Sequence, residues 1–131
     1  MDPVVHFEMP YRDRDRMAAF YSKAFGWTMQ MLGAEMGNYA VATTAVSDAI
    51  PDGYRGVING GFFERKDDWP DQYPSVVIAV KDVRAKMKEI TAAGGEVLGE
   101  PMMIPGVGDY VSFRDTEGNR VSILQALPQG R

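Results

Sequence analysis

The sequence predicts an α+β fold: two βαβββ modules in pseudo-twofold arrangement, their strands forming a curled mixed sheet around a cleft, with the helices outside. Three observations predict it. Strand-like and helix-like runs follow the same order twice along the chain. The two copies keep a nearly constant offset, with His6 to Ser75 and Asp13 to Asp82 at 69 and Gly26 to Gly94 at 68. Gly37-Asn38-Tyr39-Ala40 aligns with Gly108-Asp109-Tyr110-Val111 at 71. Finally, 131 residues with 45% hydrophobic content suit one core and are too few for two independent ones, so residues 1–131 read as a single domain.

Each element has a local reason. Residues 4–9 alternate as a strand, placing Val4, His6 and Glu8 on one face and Val5, Phe7 and Met9 on the other. Asp13 or Asp15 is the N-cap of a helix over 13–25, in which Met17, Phe20, Tyr21, Ala24 and Phe25 recur at helical spacing. Gly26 ends it. Strands follow over 27–32 and 39–44, joined by a turn at Gly37-Asn38. A polar, Gly- and Pro-containing loop covers 45–56, and a strand covers 57–64. This closes a first module of about 4–64.

Residues 65–74 form a linker with two prolines and the aromatics Trp69 and Tyr73. A strand over 75–80 opens the second module, about 75–127. Asp82 caps a helix over 82–93 with Val83, Met87 and Ile90 as its stripe, and Gly94-Gly95 stops it. Strands over 96–100, 108–115 and 120–127 complete the copy, the first broken or extended at Pro101, the last two joined by a tight turn at 116–119.

Composition excludes several function classes. The net charge of -4 makes the chain a poor match for phosphate backbones, so nucleic acid is not an expected partner. With no cysteine there is no thiol nucleophile and no thiolate metal site. No apolar run approaches the roughly 20 residues of a membrane span. The N-terminus lacks a leader pattern, so a cytoplasmic location is expected. The alternating run Arg12-Asp13-Arg14-Asp15-Arg16 reads as a solvated helix entrance.

Further motifs give the chain a resemblance. Ala-Phe-Tyr-Ser-Lys-Ala-Phe-Gly-Trp at 19–27 resembles the first-helix signature of the vicinal oxygen chelate superfamily. That superfamily includes glyoxalase I, bleomycin-resistance proteins and extradiol dioxygenases. Val-Lys-Asp-Val at 80–83, Ala-Ala-Gly-Gly at 92–95 and Phe-Arg-Asp-Thr-Glu-Gly-Asn-Arg at 113–120 resemble its second-module signatures. The resemblance implies the two-module fold and a homodimer. It also implies that ligands of a family-type metal would come from His6, Asn59, Ser75 and Ser122.

That set is chemically poor. Zinc, iron and nickel sites are built from imidazole, thiolate and carboxylate. His6 is the chain's single histidine, while Asn59, Ser75 and Ser122 offer neutral oxygens. Glu8, on the His6 face, adds one carboxylate. No metal, no other cofactor and no glyoxalase I activity are therefore expected.

The expected function is a small-molecule binder with a degenerate metal site, its ligand partly apolar. The alternative is an enzyme of the same superfamily, of lyase, isomerase or dioxygenase type. It would be metal-dependent by an unusual ligand set, or metal-free with His6 and Glu8 as acid–base groups. The candidate cleft residues are His6, Glu8, Asn59, Ser75, Ser122, Tyr39 and Tyr110. For the two tyrosines, cross-strand packing and a ligand-facing phenol both remain open. Arg114 and Arg120 read as turn-stabilising charges beside 116–119. The nine methionines, Met29, Met31, Met36, Met102 and Met103 among them, suit either ordinary core filling or an adaptable cavity.

Overall fold

The computed structural model describes residues 1–45 and 56–128. The loop expected over 45–56 thus falls almost wholly outside the described residues. Two compact units emerge, one of His6–Pro74 and one of Met1–Val5 with Ser75–Arg131. Their strands follow one topology.

In the first unit, β1 (Val4–Tyr11), which belongs to it from His6 onward, leads into α1 (Arg14–Phe25), then β2 (Thr28–Met31), β3 (Ala40–Thr43) and β4 (Asn59–Glu64). The strand order is β2-β3-β4-β1. β1 and β4 run parallel, and the other pairs are antiparallel. The second unit repeats this with β5 (Ser75–Ala79), α2 (Val83–Ala92), β6 (Glu96–Ile104), β7 (Gly108–Arg114) and β8 (Arg120–Ala126). Its order is β5-β8-β7-β6, with β5 and β8 parallel. Both copies are therefore βαβββ, as the offsets predict.

The helix entrances match across the copies. Asp13 accepts a hydrogen bond from Arg16 N at 3.0 Å, and Asp82 accepts one from Ala85 N at 3.0 Å. Each satisfies a backbone donor that the first helical turn would otherwise leave unpaired. Gly26 ends α1 at φ 72°, in the left-handed region that suits glycine.

Each unit packs its helix on one strand face. In the first, Tyr11, Ala40, Ala42 and Phe62 are buried, with Phe7, Met9, Met17, Tyr21, Trp27 and Met29 packed against them. In the second, Val80, Val83, Val111 and Ile123 are buried under Met87 and Ile90. The expected stripe of α2 is therefore the one that packs. That of α1 is narrower than its spacing suggests. Met17 and Tyr21 face the core, whereas Phe20 and Phe25 stay 57% and 62% exposed.

One further expectation shifts. A 3-10 turn at Ala34–Met36 precedes the Gly37-Asn38 turn, so the flanking strands are shorter than read. Of the two alternatives open at Pro101, the structure takes the extended one, and the strand from Glu96 runs on to Ile104. A register irregularity between Leu98 and Met102 accommodates the proline, in a strand that among the described residues is paired on one side, by β7. Among the described residues, no helix is long and apolar enough to cross a membrane.

Candidate functional site

The strand faces away from the helices carry the polar groups. In β1, Phe7 and Met9 pack toward α1, so His6 and Glu8 point the other way. The parallel ladder sets His6 against Asn59 and Glu8 against Gly61. Just before β3, Tyr39 lies on the same face. Its ring occupies the space that a side chain at position 61 would fill, so glycine there is a steric requirement of this tyrosine.

Tyr39 joins the two β1 groups. Its Oη donates to Glu8 Oε2 at 2.9 Å and lies 3.0 Å from His6 Nε2. A phenol has one proton, and here the carboxylate takes it. The imidazole must then donate from Nε2, which leaves Nδ1 as the acceptor of the neutral ring. The sequence spacing brings His6 and Glu8 together; that Tyr39 bridges them follows from Gly61, a signal visible only once β4 is laid beside β1.

Burial holds the His6 pKa below its ordinary value, and the Glu8 charge opposes this only in part. The sign follows. An unfolded histidine takes up its proton near pH 6.5, while the folded one resists until lower pH. The His6 contribution to stability is complete above about pH 6.5 and is lost as the pH falls from there toward the lower folded value. Melting temperatures measured from pH 8 to pH 5 should fall more steeply for the native chain than for His6→Gln. With a single histidine in the sequence, the difference is assignable, and parallel slopes would refute the assignment.

The remaining candidates are placed differently. Asn59 Oδ1 accepts from the backbone nitrogens of Thr44 and Ala45 at 2.7 and 3.1 Å, so it ties the end of β3 to β4. In the second unit the register partner of Ser122 is Val77, and Ser75 lies two residues short of it along β5. The pairings Glu8–Gly61 and Val77–Ser122 make Gly61, and not Asn59, the counterpart of Ser122. The two tyrosines confirm this match. Tyr39 lies over Gly61, and Tyr110 Oη accepts from Ser122 Oγ at 2.7 Å.

Two residues join this second cluster that sequence reasoning did not place in the site. Ser112 Oγ is 2.9 Å from Ser122 Oγ, and Arg120 donates to Ser112 Oγ at 3.3 Å. Ser112 stands two residues after Tyr110 in a strand, which is the period that would have placed both on one face.

A hollow of about 460 Å³ lies elsewhere, on the helix side of the first unit, lined by Met9, Tyr11, Arg16, Met17, Phe20 and Tyr21 among others. Its acidic lining residue, Asp13, is committed to capping α1. Convergent polar groups, more than open volume, mark a site that can orient a ligand, and these lie on the helix-free faces.

A family-type metal does not fit these donors. Among the described residues no three His, Asp or Glu side chains converge as a metal site would need. The oxygens of Asn59 and Ser122 are neutral and already hydrogen-bonded to the protein. Glu8 already accepts from Tyr39.

Comparison with known proteins places these sites in context. Residues 4–123 match the family model described as the Glyoxalase/Bleomycin resistance protein/Dioxygenase superfamily. A glyoxylase-like domain-containing protein of Didymella fabae is 32% identical over 119 residues, covering 88% of each chain. A Mycobacterium bovis protein carrying a glyoxylase name, CFP32, is 30% identical over 116 residues. That match covers 88% of this chain and 41% of the mycobacterial one, so this chain spans about two-fifths of that relative. The crystal structure of methylmalonyl-CoA epimerase from Mycobacterium tuberculosis superposes with a TM-score of 0.69 at 12% identity, covering 95% of this chain and 88% of that one. At that identity the likeness speaks for fold alone.

Proposed function

We propose, from the premise that this chain belongs to the Glyoxalase/Bleomycin resistance protein/Dioxygenase superfamily, that it is a metal-independent binder of a small, partly apolar molecule. In the first unit the ligand contacts are His6, Glu8 and Tyr39 on the helix-free face, with Asn59 beside them. The second unit carries a polar face of its own, with Ser122 and Tyr110 as the contact groups and Ser75 beside them. The observation that carries this reading is the hydrogen-bonded chain His6–Tyr39–Glu8. It commits the one imidazole and a carboxylate to a phenol, where a metal enzyme of this fold would turn them toward an ion.

Divalent metals provide the test. A ligand that binds only the folded state raises the melting temperature with concentration. Nickel, zinc and manganese, each added to protein purified without chelator, should shift the melting temperature by no more than about 1 °C. Elemental analysis should find well under one metal per chain. A rise of several degrees that disappears in His6→Ala would overturn the reading and restore a metal enzyme.

One observation favours a second reading. His6 gives its Nε2 proton to Tyr39 and presents Nδ1 as an acceptor, the state a metal-free general base needs. Acid–base chemistry by His6 with Glu8 behind it is the alternative. A homodimer belongs to the proposal, since exposed Phe20 and Phe25 offer apolar surface for a second copy to cover. A reducing cytoplasm suits a chain with no cysteine.

A further inference from the structure

We propose that the hollow on the helix side of the first unit is a second binding site, and that it takes an amphipathic anion: an apolar body carrying one carboxylate. This site is separate from the groups of the proposed function and needs nothing from the helix-free faces.

The walls follow from the packing. Met9 on β1 and Phe62 on β4 are register partners, and Tyr11 shares the Met9 face two residues on. Met17 and Tyr21, four apart on α1, pack against this core. Arg16 and Phe20, each one position earlier, lie beside them and also line the hollow. The hollow is therefore bounded by the end of β1 and the first two turns of α1. Its volume of about 460 Å³ is within the range of small-molecule sites.

The interior has little to offer a polar ligand. The Tyr11 hydroxyl donates to the Asn38 carbonyl at 2.6 Å, and the Tyr21 hydroxyl donates to Met9 Sδ at 3.9 Å. Two further lining residues, Pro10 and Pro74, have no backbone N–H to give. A ligand body that needs hydrogen bonds would lose them here, whereas an alkyl chain or a ring loses none. Phe20, 57% exposed, gains cover from such a body. The thioethers of Met9 and Met17 adapt to bodies of varied shape.

The charge stands among the exposed lining residues, in the run that alternates in sign at the entrance to α1. The structure divides that run. Arg14 donates to the carbonyls of Leu32 and Asn38 at 2.8 and 3.1 Å. Asp13 caps the helix, and Asp15 is in its first turn, outside the lining. Arg12 and Arg16 are exposed and line the hollow. Among the described residues, neither guanidinium has a hydrogen bond or an ion pair. The lining thus sets two permanent cations, Arg12 and Arg16, against one carboxylate that is already engaged. A neutral apolar molecule would leave the arginines unused, and an inorganic anion would leave the walls unused. An amphipathic anion uses both. Phe25, with its ring centroid 6.2 Å from that of Phe20, is outside the lining and stays available to a second copy.

Straight-chain carboxylates below their micellar range are the probe: hexanoate, octanoate and decanoate, with 1-octanol as the uncharged control. Affinity should rise about threefold or more with each two carbons, as burial of methylenes requires. In the double variant Arg12→Gln/Arg16→Gln, altered only at exposed positions, octanoate should bind about fivefold more weakly and 1-octanol as before. Methionine-methyl labelling, assigned through Met9→Leu and Met17→Leu, locates the ligand. The imidazole of His6, the single histidine, reports on the helix-free face. Decanoate should move the Met9 and Met17 signals and leave His6 in place. Movement of His6 without Met9 and Met17 would put the ligand on the helix-free face and overturn the helix-side site. Absence of saturable decanoate binding would overturn it as well, and so would equal octanoate affinity in the double variant. Met9 and Met17 signals that follow protein concentration and ignore decanoate would put a second copy of the chain in the hollow, which also overturns the assignment.

Discussion

Phe62→Ala is expected to cost about 3–5 kcal/mol, the largest loss of stability from any single truncation in the first unit. The ring is 1% exposed and sits at the centre of the helix–strand core. Phe7 meets it edge-on with centroids 6.2 Å apart, and Tyr21 lies 5.2 Å away at a tilt. Such a site is lined by large rings anchored on β1 and α1, which cannot collapse into the space a phenyl group leaves. A domain of this size holds about 5–15 kcal/mol in total. Urea unfolding should therefore show a midpoint lowered by about a fifth or more. A loss below about 1 kcal/mol would mean that Phe62 is not the packing centre described.

Gly61→Val is expected to be the most damaging substitution for the site. The new Cβ would overlap the Tyr39 ring, and the valine methyls would add to the conflict. Tyr39 must then swing away, releasing both Glu8 Oε2 and His6 Nε2. Overpacking of this kind costs about 1–3 kcal/mol. Its signature lies in the imidazole, whose Nε2 proton signal should lose the downfield position that a hydrogen bond to Tyr39 gives it. Coupling provides the discriminating measurement. In a Tyr39→Ala background the same valine should cost little, so the double mutant should be more stable than additivity predicts. Additive losses would show that Gly61 serves the backbone and not the tyrosine.

The fold was legible because its signals are local and duplicated. Asp13 and Asp82 each precede a helix by one residue, and each accepts from the third residue onward, so equal spacing reported equal structure. The core stripe of α2 was legible for the same reason. The stripe of α1 was not, because helical spacing says which residues share a side but not how wide a face the strands cover. Phe20 and Phe25 fall outside that width.

The site was legible in its β1 half, where a period of two places His6 beside Glu8. It was illegible wherever position depends on register between strands. The resemblance gives Ser75 and Ser122 as two members of one ligand set without saying how they pair, and the ladder sets Val77 opposite Ser122. The serine cluster is not legible in the sequence because a buried hydroxyl is chemically interpretable only through its partners. Nothing in the order Tyr110, Val111, Ser112 shows that Ser122 and Arg120 will complete it.

The irregular β6 strand has a consequence for how copies of this chain can meet. Among the described residues its ladder partner is β7, and none of them pairs with its far side. Gly99, at φ 88°, and the break in register near Pro101 interrupt the row of donors and acceptors there. At the other end of the first set, β2 is only four residues long. Neither is a good template for continuing a ladder from chain to chain. Any self-association would therefore be steered toward side-chain surfaces, which can close after one partner, and away from open-ended growth into fibres.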